Sequence, residues 1–124
     1  MKAISISQPM AWAIFHGKDI ENRKRATNVR GRVMIHASKK FNEEYYNWIV
    51  DNRLCTDIPS PDSAEFVRGA VIGEVDLIDC VKNHNSLWFS GPYGFVLSNP
   101  KEYKKPLPCK GTIIPLFFEP DFNN

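Results

Sequence analysis

Residues 5–23 read SISQPMAWAIFHGKDIENR and combine a helix with the flanking segments that organise the chain. Pro9 suits the first position of a helix, because its missing N–H costs nothing there and its φ is already helical. Ser7 is the predicted N-cap, since its side chain can accept a hydrogen bond from the first helical turn. Gly17 supplies the left-handed residue that ends the helix. We therefore predict a strand, a helix over residues 9–16 and a second strand.

The predicted second strand, residues 19–24, is too charged to be an ordinary core strand. Alternate residues of a strand point to opposite faces, and neither face of this strand is cleanly apolar. The pattern favours the lip of a polar cleft. The polar and charged residues concerned are Lys18, Asp19, Glu21, Asn22, Arg23, Lys24 and Arg25.

Length and composition indicate one domain, residues 1–124, of a soluble protein. Hydrophobic residues make up 43% and charged residues 24% of the chain, which is typical of globular proteins. We find no apolar run of the roughly 18 residues that a membrane span needs and no signal-peptide pattern. The three cysteines lack metal-binding or redox spacing, so we expect free thiols and a cytoplasmic location.

The net charge is only +2, but the basic residues are unevenly distributed. Residues 18–40 hold eight lysines and arginines against two acidic residues. A surface polarised in this way can attract a polyanion. The alternative is a scattered, solvated basic face.

The remaining pattern predicts about six short strands with two helices. Asn42 is the predicted N-cap of the second helix, and Gly73 marks a bulge within a long strand. The architecture that fits is an α+β fold, a small β-barrel with two flanking helices. Besides the strand at 19–24, the predicted strands are 2–7, 32–37, 66–81, 93–98 and 112–118.

Several of these segments together resemble the ASCH domain, the activating-signal-cointegrator homology domain, which is related to the PUA fold. The resemblance covers nearly the whole chain and implies a PUA-like barrel with a cleft that faces nucleic acid. The segments that carry it are SISQPMAW (5–12), GKDIENR (17–23), RGRVMIHAS (30–38), GEVDLIDC (73–80), GPYGFVLS (91–98) and PCKGT (108–112).

The resemblance also implies a candidate catalytic pair, Lys18 and Glu21. Small bacterial ASCH proteins that hydrolyse acetylated cytidine use a lysine, a threonine three residues later and a distant glutamate. Lys18 matches the lysine, whereas Glu21 stands in the place of the threonine. A lysine beside a carboxylate can act as a base or stabilise an oxyanion. The alternative is a structural ion pair at the mouth of the cleft.

We predict nucleic-acid contacts from three kinds of side chain. Cationic side chains suit phosphate contacts, aromatic side chains on a turn can stack on bases, and polar side chains can contact base edges. Two of these residues have an alternative structural role: Gln8 as a helix cap and His36 as a core histidine. Trp12 is expected in the core. The predicted contact residues are Gln8, Asn22, Arg23, Lys24, Arg30, His36, Ser38, Trp88 and Tyr93.

The sequence carries no P-loop, dinucleotide-binding or nucleophile-elbow motif, and we expect neither a metal nor a cofactor. The leading hypothesis is a module that binds RNA, another nucleic acid or a nucleotide. The second is an enzyme in the same cleft, either an amidohydrolase on an acetylated nucleoside or a metal-independent ribonuclease. The third is an adaptor for a protein partner.

Overall fold

The computed structural model describes residues 1–123, in which six strands form one sheet and two helices pack beside it. The strand order is β2-β5-β4-β3-β1-β6. β1 and β3 are parallel, and the other neighbours are antiparallel. The elements are β1 (Ala3–Gln8), α1 (Met10–Ile14), β2 (Ile20–Arg23), β3 (Gly31–Phe41), α2 (Glu43–Asp51), β4 (Ala70–Val81), β5 (Tyr93–Pro108) and β6 (Phe117–Phe118).

The sheet curls until its two ends approach each other. Register shifts interrupt the pairing of β3 with β4 and of β4 with β5, and such bulges bend a sheet. Arg23 of β2 donates to the Ser5 carbonyl of β1, at 3.3 Å, although these strands are not neighbours in the sheet. Phe95 and Phe117 also stack, with centroids 6.3 Å apart. The predicted α+β, PUA-like small barrel is confirmed.

The first helix is short, and all of its residues are buried. It spans Met10–Ile14, fewer residues than predicted. The predicted Ser7 cap is wrong, because the helix has no side-chain N-cap bond at its cap residue, Pro9. The Gln8 amide oxygen instead accepts a hydrogen bond from the Trp12 N–H at 2.8 Å. Gly17, with φ 107°, ends the segment as predicted, and Trp12 is in the core.

The second helix has the predicted cap but not the predicted packing. The Asn42 side chain accepts a hydrogen bond from the Tyr45 N–H at 3.0 Å, as an N-cap does. The sequence spacing places Tyr45, Trp48, Ile49 and Asn52 on one side of the helix and thereby predicts one buried stripe. Ile49 is buried and Trp48 partly so, but Tyr45 and Asn52 are exposed. The helix packs on the core through Ile49 and Trp48, and the ring of Tyr45 stays exposed to solvent.

The last two strands differ from their predicted bounds. β5 continues past its predicted end at residue 98 to Pro108, because register shifts against β4 accommodate the extra residues without ending the strand pairing. The predicted strand over residues 112–118 shortens to Phe117–Phe118. Pro115 has no N–H to donate to a ladder, so residues 112–116 form a connecting segment instead of a strand.

Candidate functional site

A cavity of about 950 Å³ lies beside β2, where the two ends of the curled sheet approach each other. β1, β2, α2 and the segment before β6 all contribute to its wall. Its cationic lining residues are Lys18, Arg23, Lys24, Arg25 and Lys40, against one acidic residue, Glu21. Its volume is within the range of small-molecule and cofactor sites, about 300–1,000 Å³.

A buried ionic network forms the floor of this cavity. Lys18 Nζ donates to Glu21 Oε1 at 2.6 Å. Arg23 approaches the other carboxylate oxygen, Oε2, with Nε at 3.0 Å and Nη2 at 2.9 Å. The side chains of Lys18 and Glu21 are only 1% and 10% exposed. Lys18 follows the turn at residues 15–17 and lies three residues before Glu21, so the pair forms between residues that are close along the chain.

Glu21 is held in its charged form by its two partners. Burial raises the pKa of a carboxyl group, but the charges and hydrogen bonds of Lys18 and Arg23 outweigh burial, and the pKa of Glu21 lies below its ordinary value. A carboxylate flanked by two cations is a hydrogen-bond acceptor, not an acid, at neutral pH. The floor therefore carries two positive charges and one negative charge.

The rim of the cavity is cationic and exposed. The side chains of Lys24, Arg25 and Lys40 line it, and each of these residues is exposed. Among residues 1–123, none of the three belongs to an ion pair. Their charges are thus available to a ligand, in contrast to the paired charges of the floor.

One wall of the cavity is aromatic. Tyr45 and Trp48 of α2 line it, three residues apart and therefore on the same side of the helix. Trp48 is braced edge-on against Trp88, with centroids 5.9 Å apart, and Tyr45 remains 45% exposed. Both were expected in the buried stripe of α2, and neither is among the site residues predicted from the sequence.

A family model confirms the resemblance noted in the sequence: the ASCH domain model matches residues 4–107. This chain is an ASCH domain. It is 31% identical over 121 residues to the human (Homo sapiens) protein named activating signal cointegrator 1, an alignment that covers 87% of this chain and 20% of that protein. The chain therefore spans about a fifth of the length of this relative.

The ASCH domain brings five of the eleven predicted site residues to the charged part of the cavity wall, and Ser38 lines it as well. Asn22 is one of them, but its side chain also organises a loop. It donates to the Trp88 carbonyl at 2.9 Å and accepts from the N–H groups of Ser90 and Gly91. Asn22 thereby holds Ser90 at the cavity. The six lining residues from the predicted set are Lys18, Glu21, Asn22, Arg23, Lys24 and Ser38.

Gln8 and His36 belong to the scaffold instead of the cavity wall. The Gln8 side chain is fully buried; it donates to the Val67 carbonyl and accepts from the Trp12 N–H. His36 is also buried, with Nδ1 2.9 Å from Ser5 Oγ and Nε2 2.9 Å from the Cys109 carbonyl. Burial lowers the pKa of His36, and its hydrogen bond to that carbonyl opposes the effect only in part. These contacts match the structural roles considered for the two residues, Gln8 as a helix cap and His36 as a core histidine.

Three other predicted contact residues do not line the cavity. Trp88 is buried against Trp48, and Tyr93 contacts Lys82, whose ammonium lies 5.9 Å from the ring. Arg30 donates to the carbonyls of Thr27 and Val29 and approaches Asp79 at 3.8 Å. These contacts are structural, and none of the three residues is part of the cavity lining.

The basic residues of the segment 18–40 do not form one continuous wall. Arg32 pairs with Glu74 at 3.7 Å and with Asp76 at 3.3 Å, both on β4. Since β3 and β4 are neighbours in the sheet, the acidic residues of β4 neutralise this part of the basic segment. Only the basic residues near β2, together with Lys40, face the cavity.

One further group of potentially reactive side chains lies outside the cavity lining. His16, Cys55 and Asp57 lie together, but the Cys55 thiol donates to the His16 carbonyl at 3.5 Å and not to its ring. Burial raises the pKa of Cys55 to about 11, with Asp57 adding to the effect, so this group lacks a thiolate nucleophile. Within residues 1–123, no three His, Cys, Asp or Glu side chains are arranged to hold a metal ion.

In residues 1–123, neither helix is long and apolar enough to cross a bilayer.

Proposed function

We propose that this ASCH domain binds an unpaired nucleotide of RNA, or a free nucleotide, in the cavity beside β2. The observation that carries the proposal is the composition of the cavity lining. Five cationic side chains and two aromatic rings line the same space of about 950 Å³. A nucleotide combines a flat ring with a phosphate and matches both properties.

The distribution of these groups supports recognition of a single strand more than of a duplex. Unpaired bases can leave their stack, lie on aromatic side chains and expose their edges to hydrogen-bonding groups. Tyr45 and Trp48 offer such rings, and the floor offers donors and an acceptor. Phosphates would contact Lys24, Arg25 and Lys40 at the rim. A concave site of this kind admits one base far more readily than an intact helix.

Salt-dependent binding tests the proposal. Each phosphate contact releases counterions, so affinity for single-stranded RNA should fall steeply as salt rises. Lys24→Ala, Arg25→Ala and Lys40→Ala should each weaken binding and reduce the slope against salt by about 1. Fluorescence anisotropy with a labelled single-stranded RNA measures both quantities.

Lys104→Ala is the matched control for these variants, because Lys104 is exposed on β5 and lies away from the cavity lining. It should leave both the affinity and the slope unchanged. Affinity that does not depend on salt, or an equal loss in Lys104→Ala, would contradict the proposal.

Hydrolysis in the same cavity is a second candidate function, favoured by the position of the Lys18–Glu21 pair on the cavity floor. In this function Lys18 would stabilise developing negative charge, and Glu21 would orient Lys18 or accept a proton. The assay is turnover of acetylated cytidine and of a short RNA by the wild type and by Lys18→Ala. Turnover that disappears in Lys18→Ala would support an enzyme, whereas weaker binding without any turnover would support the binding module.

The state of the cysteines supports a cytoplasmic site of action. Cys55, Cys80 and Cys109 are all free thiols, the state that a reducing compartment maintains. Fractionation of cells that express the tagged protein tests this assignment.

A further inference from the structure

We propose that Glu21 keeps anionic groups off the cavity floor, so that a nucleotide enters with its base inward and its phosphate at the rim. The second half of this inference rests on the proposed function of the cavity as a nucleotide site. The first half concerns the electrostatics of the floor alone and can be tested with a simple anion.

The carboxylate of Glu21 occupies the place where a bound anion would be expected. Its Oε1 lies 2.6 Å from Lys18 Nζ, and its Oε2 lies 2.9 Å from Arg23 Nη2. A guanidinium and an ammonium that converge on one point form a typical phosphate-binding arrangement. In this domain the protein's own carboxylate takes up both cations.

A ligand phosphate on the floor would have to compete with that carboxylate. Glu21 is buried among its partners and cannot be displaced without losing both ion pairs. A phosphate placed beside it would lie next to a like charge in a poorly solvated site, where repulsion is strong. The floor is therefore better suited to a neutral ligand group that donates to Glu21 or accepts from Lys18, as the edge of a base does.

The rim has the opposite character. Lys24, Arg25 and Lys40 are exposed, line the cavity and have no ion-pair partner within residues 1–123. Phosphate contacts are available at these side chains without competition from a fixed carboxylate. The difference between floor and rim assigns an orientation to the ligand.

Binding of inorganic pyrophosphate by the wild type and by Glu21→Gln tests the inference. Glutamine keeps the size of the side chain but removes its charge, which leaves Lys18 and Arg23 available to an anion. We expect calorimetry to show pyrophosphate binding at least about 10-fold tighter in Glu21→Gln than in the wild type. Glu102→Gln is the control, since it removes one acidic charge at an exposed position of β5 outside the cavity.

A second variant covers the case in which Glu21→Gln does not fold. Lys18→Met with Glu21→Gln removes both members of the buried pair and leaves only Arg23 as a floor cation. It should also bind pyrophosphate more tightly than the wild type does. An affinity equal to that of Glu102→Gln in whichever of the two variants folds would overturn the inference.

Parallel titration of the same proteins with single-stranded RNA separates the two proposals. If the wild type binds RNA and the Glu21 variants gain no pyrophosphate affinity, the role of Glu21 is wrong and the proposed function stands. If the wild type does not bind RNA but the variants gain pyrophosphate affinity, Glu21 does exclude anions from the cavity floor and the nucleotide function is wrong. Gains in pyrophosphate affinity together with RNA binding by the wild type support both.

Discussion

Lys18 Nζ lies 2.6 Å from Glu21 Oε1 inside a cavity, and both side chains are almost inaccessible to solvent. Lys18 follows a turn and Glu21 lies on the edge strand β2, so residues close along the chain form the charged centre of the candidate site. Arg23 joins it from the same strand and also bonds to β1. The network therefore serves two purposes: it links the two ends of the curled sheet and it sets the charge of the cavity floor.

The first prediction concerns the stability of this pair. Glu21→Gln should lower the free energy of unfolding by about 3–5 kcal/mol, because it leaves the buried charge of Lys18 without its partner. Lys18→Met should lower it by less, because Arg23 still pairs with Glu21. The double variant should lose less than the sum of the two, since neither charge is then left without its partner. Urea unfolding measures all three. Arg30→Ala is the control: it removes an exposed ion pair with Asp79 and should lower the free energy of unfolding by only about 0–1 kcal/mol. If the losses at Lys18 and Glu21 were additive in the double variant, the two residues would not be energetically coupled.

The second prediction concerns the aromatic wall. Tyr45→Ala should weaken binding of single-stranded RNA by about 1–3 kcal/mol, because a base loses its stacking surface. The same change should leave the unfolding free energy nearly unchanged, since Tyr45 is 45% exposed. Anisotropy and urea unfolding on the same samples measure the two effects. Leu87→Ala, at an exposed residue away from the cavity lining, is the control; equal RNA affinity in both variants would show that the ring takes no part.

The third prediction concerns pH and His36. Because the pKa of His36 is below its ordinary value of 6.5 in the folded state, the unfolded chain binds a proton first as the pH falls. Stability should therefore be complete above pH 6.5 and should decline as the pH falls below it towards the pKa of the folded state. His36→Gln keeps hydrogen-bonding capacity and should remove this part of the decline. Melting temperatures across this range test it, and an identical pH profile in the variant would contradict the assignment.

The fourth prediction concerns the bulge at Gly73. A Cβ atom there would lie 2.5 Å from the Lys101 carbonyl oxygen and 2.5 Å from Phe15 Cζ. The carbonyl belongs to the paired strand and cannot move alone, so Gly73→Ala should destabilise the domain by about 1–3 kcal/mol or more. Gly17→Ala is the comparison: open space surrounds that position but its φ is 107°, and we expect a loss of about 1 kcal/mol. A smaller loss at Gly73 than at Gly17, measured by urea unfolding, would contradict this account.

Local sequence signals predicted those parts of the fold in which the interacting residues are close along the chain. The Asn42 cap bonds three residues ahead, Gly17 ends the turn that follows its helix, and the Lys18–Glu21 pair also spans three residues. The placement of the charged segment at β2 followed from its unsuitability for the core. The ASCH-like segments predicted the whole barrel, because they occur in the family's order along nearly the full chain.

Contacts between distant segments decided the composition of the site. Arg30 and Arg32 lie in the same basic segment as Lys24, but strand pairing brings them to the acidic side chains of β4 and away from the cavity. Tyr45 reaches the cavity only because α2 rests on the core through Ile49 and Trp48. The sequence by itself determined where charge and turns occur along the chain. Only the tertiary structure decided which of those charges share one solvent-accessible space, because that depends on how the sheet curls.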